Sequence, residues 1–155
     1  MKKQLLFFIL CLFTLKSIAY DRRKQEVDSL LNKTREFFNA GQLLPYIETS
    51  IKALNLSNEA NYNEGKGKAH SWIAEGLVTV GLFKEGLKHL ESAEKTDFYK
   101  KGILAQSEVH RVRGRAYGEL KLYQQAIREF RFQLGLIRNL TGEKQKNPIS
   151  LPTKI

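Results

Sequence analysis

The chain can be laid over itself at an offset of 40 residues, twice, without a gap. Gly41-Gln42-Leu43 falls on Gly81-Leu82-Phe83 and then on Lys121-Leu122-Tyr123, with Phe37, Leu77 and Tyr117 before the triplets and Ile47, Leu87 and Ile127 after them. Ala53 matches Ala93, and Leu54 matches Leu134. Self-similarity at a period of roughly 20–50 residues marks an array of one repeated supersecondary unit, in which each copy buries its apolar face against its neighbours. The copies run 27–66, 67–106 and 107–140, which leaves little of the 155 residues for a second domain.

Within each copy the apolar residues recur at helical spacing. Val109, Val112, Ala116, Tyr117 and Leu120 are three or four apart, and after Lys121-Leu122 the same rhythm resumes with Tyr123, Ala126, Ile127, Phe130, Leu134 and Ile137. The second copy has Trp72, Ile73, Leu77 and Val80 before Gly81, then Phe83, Leu87, Leu90 and Ala93. Each copy therefore reads as a helical hairpin, with helices predicted over 23–39, 43–57, 62–80, 83–95, 99–120 and 123–140. Gly114 and Ala126 are expected to meet where the third hairpin's helices cross, and Ala74 and Gly86 in the second.

The N-terminus carries a different pattern. Lys2 and Lys3 precede the apolar run Leu5 to Phe13, and Ser17-Ile18-Ala19 offers the small residues a signal peptidase accepts, so residues 1–19 are expected to be a secretory signal and the protein to be periplasmic or secreted. Thr14 and Lys16 interrupt the run short of the roughly 20 apolar residues that a membrane span needs. The only cysteine, Cys11, lies inside that run, so residues 20–155 have no thiol for a disulfide, a thiolate metal site or nucleophilic catalysis. From Thr141 to Ile155, Gly142, Pro148, Pro152 and several lysines end the helical rhythm, and an irregular tail is expected.

Gly114-Arg115-Ala116-Tyr117, then Tyr123-Gln124-Gln125-Ala126-Ile127, then Phe130, resembles a tetratricopeptide repeat. Ala74, Leu77, Gly81, Phe83, Gly86, Leu87, Leu90 and Ala93 resemble it in the second copy, while Thr34 and Tyr46 stand where small residues are expected in the first. The resemblance covers about residues 27–140 and implies an all-α solenoid of three antiparallel hairpins wound as a right-handed superhelix. A 40-residue unit is longer than the usual 34 of that family, and the surplus is placed at Asn58–Gly67 and Thr96–Lys101. The longer form is similar to repeats of exported bacterial sensor and regulator proteins.

No catalytic pattern is present. There is no Gly-x-Ser-x-Gly elbow and no His-Glu-x-x-His pair, and Gly65-Lys66-Gly67-Lys68 lacks the spacing and hydroxyl of a phosphate-binding loop. His70 and His110 are 40 residues apart, the signature of a repeated packing position, so no metal and no cofactor are expected. The net charge of +10 falls to +7 once Lys2, Lys3 and Lys16 are set aside. Basic character suits acidic partners, but no basic patch interleaved with aromatic residues points to nucleic acid.

The resemblance implies that the first helix of each hairpin lines a concave groove. Arg35, Trp72, Glu75, Arg111 and Arg115 fall on those helices and are the candidate binding residues, with Arg111 and Arg115 expected to hold an acidic group. The function expected is a non-enzymatic scaffold that binds a protein or peptide. The alternative is the sensor part of a regulator whose membrane and DNA-binding segments lie elsewhere. Phe132, Leu136 and Leu140 mark an apolar C-terminal edge at which self-association is a further expectation.

Overall fold

The computed structural model describes residues 2–141, which form α1 (Lys2–Asn39), α2 (Leu43–Glu59), α3 (Asn63–Thr79), α4 (Phe83–Glu94), α5 (Asp97–Lys101), α6 (Ile103–Glu119) and α7 (Tyr123–Thr141). Among the described residues there is no strand, and the protein is all-α. The expected tail lies outside the described residues except for Thr141, which is the last residue of α7. The first helix runs on through the N-terminal apolar stretch. Among the described residues no helix is long and apolar enough to cross a membrane.

Four connections between these helices share one hydrogen-bond pattern. The Gly41 amide donates to the Phe38 carbonyl at 3.0 Å and the Gln42 amide to that of Phe37 at 2.9 Å. The same two bonds recur from Asn61 and Tyr62 to Asn58 and Ser57, from Gly81 and Leu82 to Val78 and Leu77, and from Lys121 and Leu122 to Gly118 and Tyr117. This is the Schellman closure, in which one left-handed residue satisfies carbonyls the helix end leaves open. The left-handed residues are Gly41, Asn61, Gly81 and Lys121, with φ of +67°, +51°, +86° and +60°. Each connection is three residues long, so the helices it joins run antiparallel.

Asn61 lies midway between Gly41 and Gly81, so the structural period is a single helix and turn, half the 40-residue sequence repeat. The surplus expected at Asn58–Gly67 is accordingly absorbed by helix, since α2 and α3 have 17 residues each. The 99–120 helix is broken in two. Gly102 adopts an extended backbone (φ −117°, ψ 108°) between α5 and α6, and α4 stops at Glu94 after 12 residues. Thr96 and Asp97 turn the chain over the start of α3, where the Asp97 amide donates to Asn63 Oδ1 at 2.6 Å. A side chain at Gly67 would meet Phe98 Cβ at 2.6 Å, so only glycine lets this corner come so close.

The centre of the packing is α3, which touches α1, α2, α4, α5 and α6. One core gathers Val27, Leu31, Ala53, Ala60, Tyr62 and Ala69; the other gathers Ala74, Val78, Leu90, Ala93, Val109, Val112 and Ala116. A Cβ at Gly86 would meet Val78 at 2.8 Å and then the Ala74 carbonyl oxygen at 3.2 Å, in keeping with that crossing, whereas a Cβ at Gly114 would meet the Phe130 ring at 2.7 Å.

Lys121 is the one turn residue whose side chain makes the left-handed region costly. Lys121→Gly is expected to raise the free energy of unfolding by about 0.5–1 kcal/mol, read as a higher urea midpoint at unchanged slope, while Asn61→Gly changes it less because asparagine tolerates that region. A midpoint lowered by Lys121→Gly would contradict the turn geometry.

Candidate functional site

Because the period places equivalent residues of α1, α3 and α6 in columns, Arg35, Glu75 and Arg115 share one column and Leu31, Ser71 and Arg111 another. Arg35, Trp72, Glu75 and Arg111 line one cleft of about 450 Å³, together with Phe38, Asn39, Tyr46, Leu104, Ser107 and Glu108. Arg115 adjoins it through Glu75. The five residues singled out in the sequence thus lie on one face, but their roles differ from expectation.

Glu75 is only 5% exposed and is held by both arginines. Arg111 spans its two oxygens, Nη1 to Oε1 at 3.4 Å and Nη2 to Oε2, while Arg115 Nη1 donates to Oε1 at 2.5 Å. Arg115 Nη2 also donates to Thr79 Oγ1 at 3.4 Å, and that hydroxyl donates to the Glu75 carbonyl at 2.8 Å. A carboxylate so deeply placed needs these charged donors to offset its lost hydration. Arg111 and Arg115 are therefore occupied within the fold, which corrects the expectation that they are the cleft's free anion-binding groups.

The remaining groups give the cleft its chemistry. Ser71 Oγ donates to Glu108 Oε1 at 3.2 Å, and burial pushes the Glu108 carboxyl above its usual range, opposed by this bond and by Arg111. Burial, reinforced by the negative charges of Glu75 and Glu108, drives the Tyr46 phenol up, so it stays protonated. Phe38, Tyr46 and Trp72 form an aromatic wall with centroids 5.4 and 6.4 Å apart. The Arg35 guanidinium lies 6.0 Å from the Trp72 ring, and among the described residues it has no ion-pair partner.

No family model, curated protein or solved structure matches the chain. The cleft is read from its own geometry. Tyr46, Phe38 and Glu108 escaped the sequence reading because Tyr46 replaces a small residue of the repeat and the other two stand beside the columns rather than in them.

The histidines are paired behind this face. His70 Nδ1 is 3.0 Å from His89 Nδ1, and His110 Nδ1 is 2.5 Å from Glu129 Oε2 while its Nε2 meets the Tyr99 hydroxyl at 3.0 Å. His89 and Glu129 are themselves 40 residues apart, so the repeated position is a repeated pair. Arg113 joins α6 to α4 through Glu94 at 2.7 Å. Among the described residues no three His, Cys, Asp or Glu are gathered as metal ligands.

Two predictions follow from these contacts. Replacing Arg111 and Arg115 together by alanine strips a buried carboxylate of its donors and is expected to destabilise by about 1–3 kcal/mol, with part recovered by adding Glu75→Gln; thermal unfolding of the two variants beside the unaltered protein measures it. The second concerns pH. Burial, with the neighbouring His89 charge, pushes His70 down to about 4, and burial lowers His89 as well. Below the ordinary histidine value of about 6.5 the unfolded chain takes up protons that the folded pair refuses, so stability is full above that value and declines as pH falls towards 4. Urea titrations across this window are expected to show a shallower decline for His70→Phe than for the unaltered protein.

Proposed function

We propose that the protein is a non-enzymatic helical-repeat scaffold of the tetratricopeptide kind, exported from the cytoplasm, whose cleft binds a segment of another protein or peptide. The single observation that carries this is the combination inside the cleft of an aromatic wall, a guanidinium at Arg35 with no ion-pair partner among the described residues, and a carboxylate, Glu75, already neutralised by two arginines. Such a surface favours an apolar side chain on Phe38, Tyr46 and Trp72 with an acidic group beside it on Arg35. The cleft is partly open to solvent, which leaves room for a chain segment as well as for a small group. Support for the solenoid comes from the 40-residue register and the recurring turns; support for export comes from Lys2, Lys3, the apolar run and Ser17-Ile18-Ala19.

Fluorescence anisotropy with labelled peptides tests this. Peptides that place glutamate next to leucine or phenylalanine are expected to bind the full chain, more weakly as salt rises. Arg35→Glu and Phe38→Ser, both at exposed positions that leave folding nearly unchanged, are each expected to cut affinity by about tenfold or more. Binding indifferent to both substitutions, or preference for lysine over glutamate, would remove the cleft as the binding site.

A further inference from the structure

The last helix presents a row of apolar residues in a register that is covered elsewhere in the protein. In α4, Phe83, Leu87 and Leu90 pack into the core that Val109, Val112 and Ala116 of α6 form with Ala74 and Val78 of α3, and Leu90 is fully buried. Forty residues on, the equivalent positions are Tyr123, Ile127 and Phe130 of α7, which are 60%, 41% and 36% exposed; Leu134 extends the row at 52%. One side of α7 packs on α6, through Ala126, the Glu129–His110 pair and the edge of the Phe130 ring that lies against Gly114, while Tyr123, Ile127 and Leu134 face outward. The row follows the spacing 4, 3, 4, the stripe one helix offers another. An apolar row of this length left in water favours association.

The protein itself says what fits there. At the α4–α6 junction the covering helix offers small aliphatic residues at i, i+3 and i+7, namely Val109, Val112 and Ala116. The charges around the exposed row are basic: Lys121, Arg128 and Arg131 are exposed, and the single acidic residue of α7, Glu129, is engaged by His110 and Arg113. A second copy is poorly suited in either orientation. Stacking head to tail would set the row against α1, where the residues equivalent to Val109, Val112 and Ala116 are Ser29, Asn32 and Glu36, in a polar hollow shared with Asp28 and Lys33. Pairing two copies of α7 would bring like charges together. Residues 142–155 also add positive charge, with Lys144, Lys146 and Lys154 against Glu143.

We infer that the outer face of α7 docks an amphipathic helix of a different protein, one with a small aliphatic seam spaced like Val109, Val112 and Ala116 and with acidic residues along its edges. That helix continues the stack where α7 leaves it open, its carboxylates facing Lys121, Arg128 and Arg131. The surface is separate from the cleft, and its occupancy does not depend on what the cleft binds.

The probe is a stapled helical peptide with the sequence of Ile103–Glu119 carrying Arg111→Glu, Arg113→Glu and Arg115→Glu; a second peptide carries lysine at the same three positions. Titrated against the full chain, the glutamate peptide is expected to bind, and the lysine peptide to bind about tenfold more weakly or less. Ile127→Glu is expected to reduce glutamate-peptide binding by at least about tenfold, with helical circular dichroism unchanged because Ile127 is exposed, and Arg128→Glu with Arg131→Glu to reverse the preference between the peptides. Equal binding of the two peptides, no binding of either, or binding unaffected by Ile127→Glu overturns the inference. So does a full-chain dimer in sedimentation that Ile127→Glu dissolves, which assigns the face to a second copy. Adsorption to phosphatidylserine vesicles abolished by Ile127→Glu overturns it in favour of a membrane surface.

Discussion

One residue in the left-handed region at the end of a helix sets the plan of the whole protein. At Gly41, Asn61, Gly81 and Lys121 the same two backbone bonds reverse the chain within three residues, so each following helix must lie antiparallel on the last. The closure costs little where glycine or asparagine supplies it and more at Lys121. Where it is missing, between α4 and α6, the chain needs α5, an extended Gly102 and the close approach at Gly67 to reach the same place. The irregular corner shows how much the turn accomplishes elsewhere.

Regular reversal also decides where charges meet. Residues 40 apart stand side by side on neighbouring helices, so a column that reads Arg35, Glu75, Arg115 is alternating in sign across the stack. Glu75 draws on Arg115 from its own column and on Arg111 one turn away, and the outcome is a clasp between α3 and α6. Arg35, further from Glu75's carboxylate, keeps its guanidinium for the cleft. The same columns explain the paired histidines: a position on the first helix of a hairpin always faces one on the second, whether the partner is His89 or Glu129.

Much of this was legible in the sequence, and the rest was hidden for physical reasons. Turns at Gly41, Gly81 and Lys121 showed themselves through the residues flanking them, and the helix ends at those turns fall within about a residue of expectation, whereas α1 begins at Lys2 rather than at residue 23. Asn61 was missed because asparagine enters the left-handed region without the compositional mark of glycine, and because the residues around it, facing different neighbours, do not match those of the other turns. Gly102 looked like an interior glycine of a long helix, since the apolar rhythm on either side is uninterrupted. Register places Arg35, Glu75 and Arg111 on one face, but it does not reach Phe38, Tyr46 or Glu108. Nor does it show the pairing of Glu75, because a glutamate between arginines on separate stretches of sequence reads as a mixed solvated surface until the helices are set next to one another.

The position of α3 bears on how the protein comes apart. A linear stack in which each helix meets only its neighbours can fray from either end, one unit at a time. Here α3 touches five other helices, and its Glu75 is anchored from α6. Detaching any inner helix therefore exposes part of α3 and weakens the others resting on it. Opening of the interior is therefore coupled through α3, which gives the helices that share it the interdependence of a globular core rather than of a linear array.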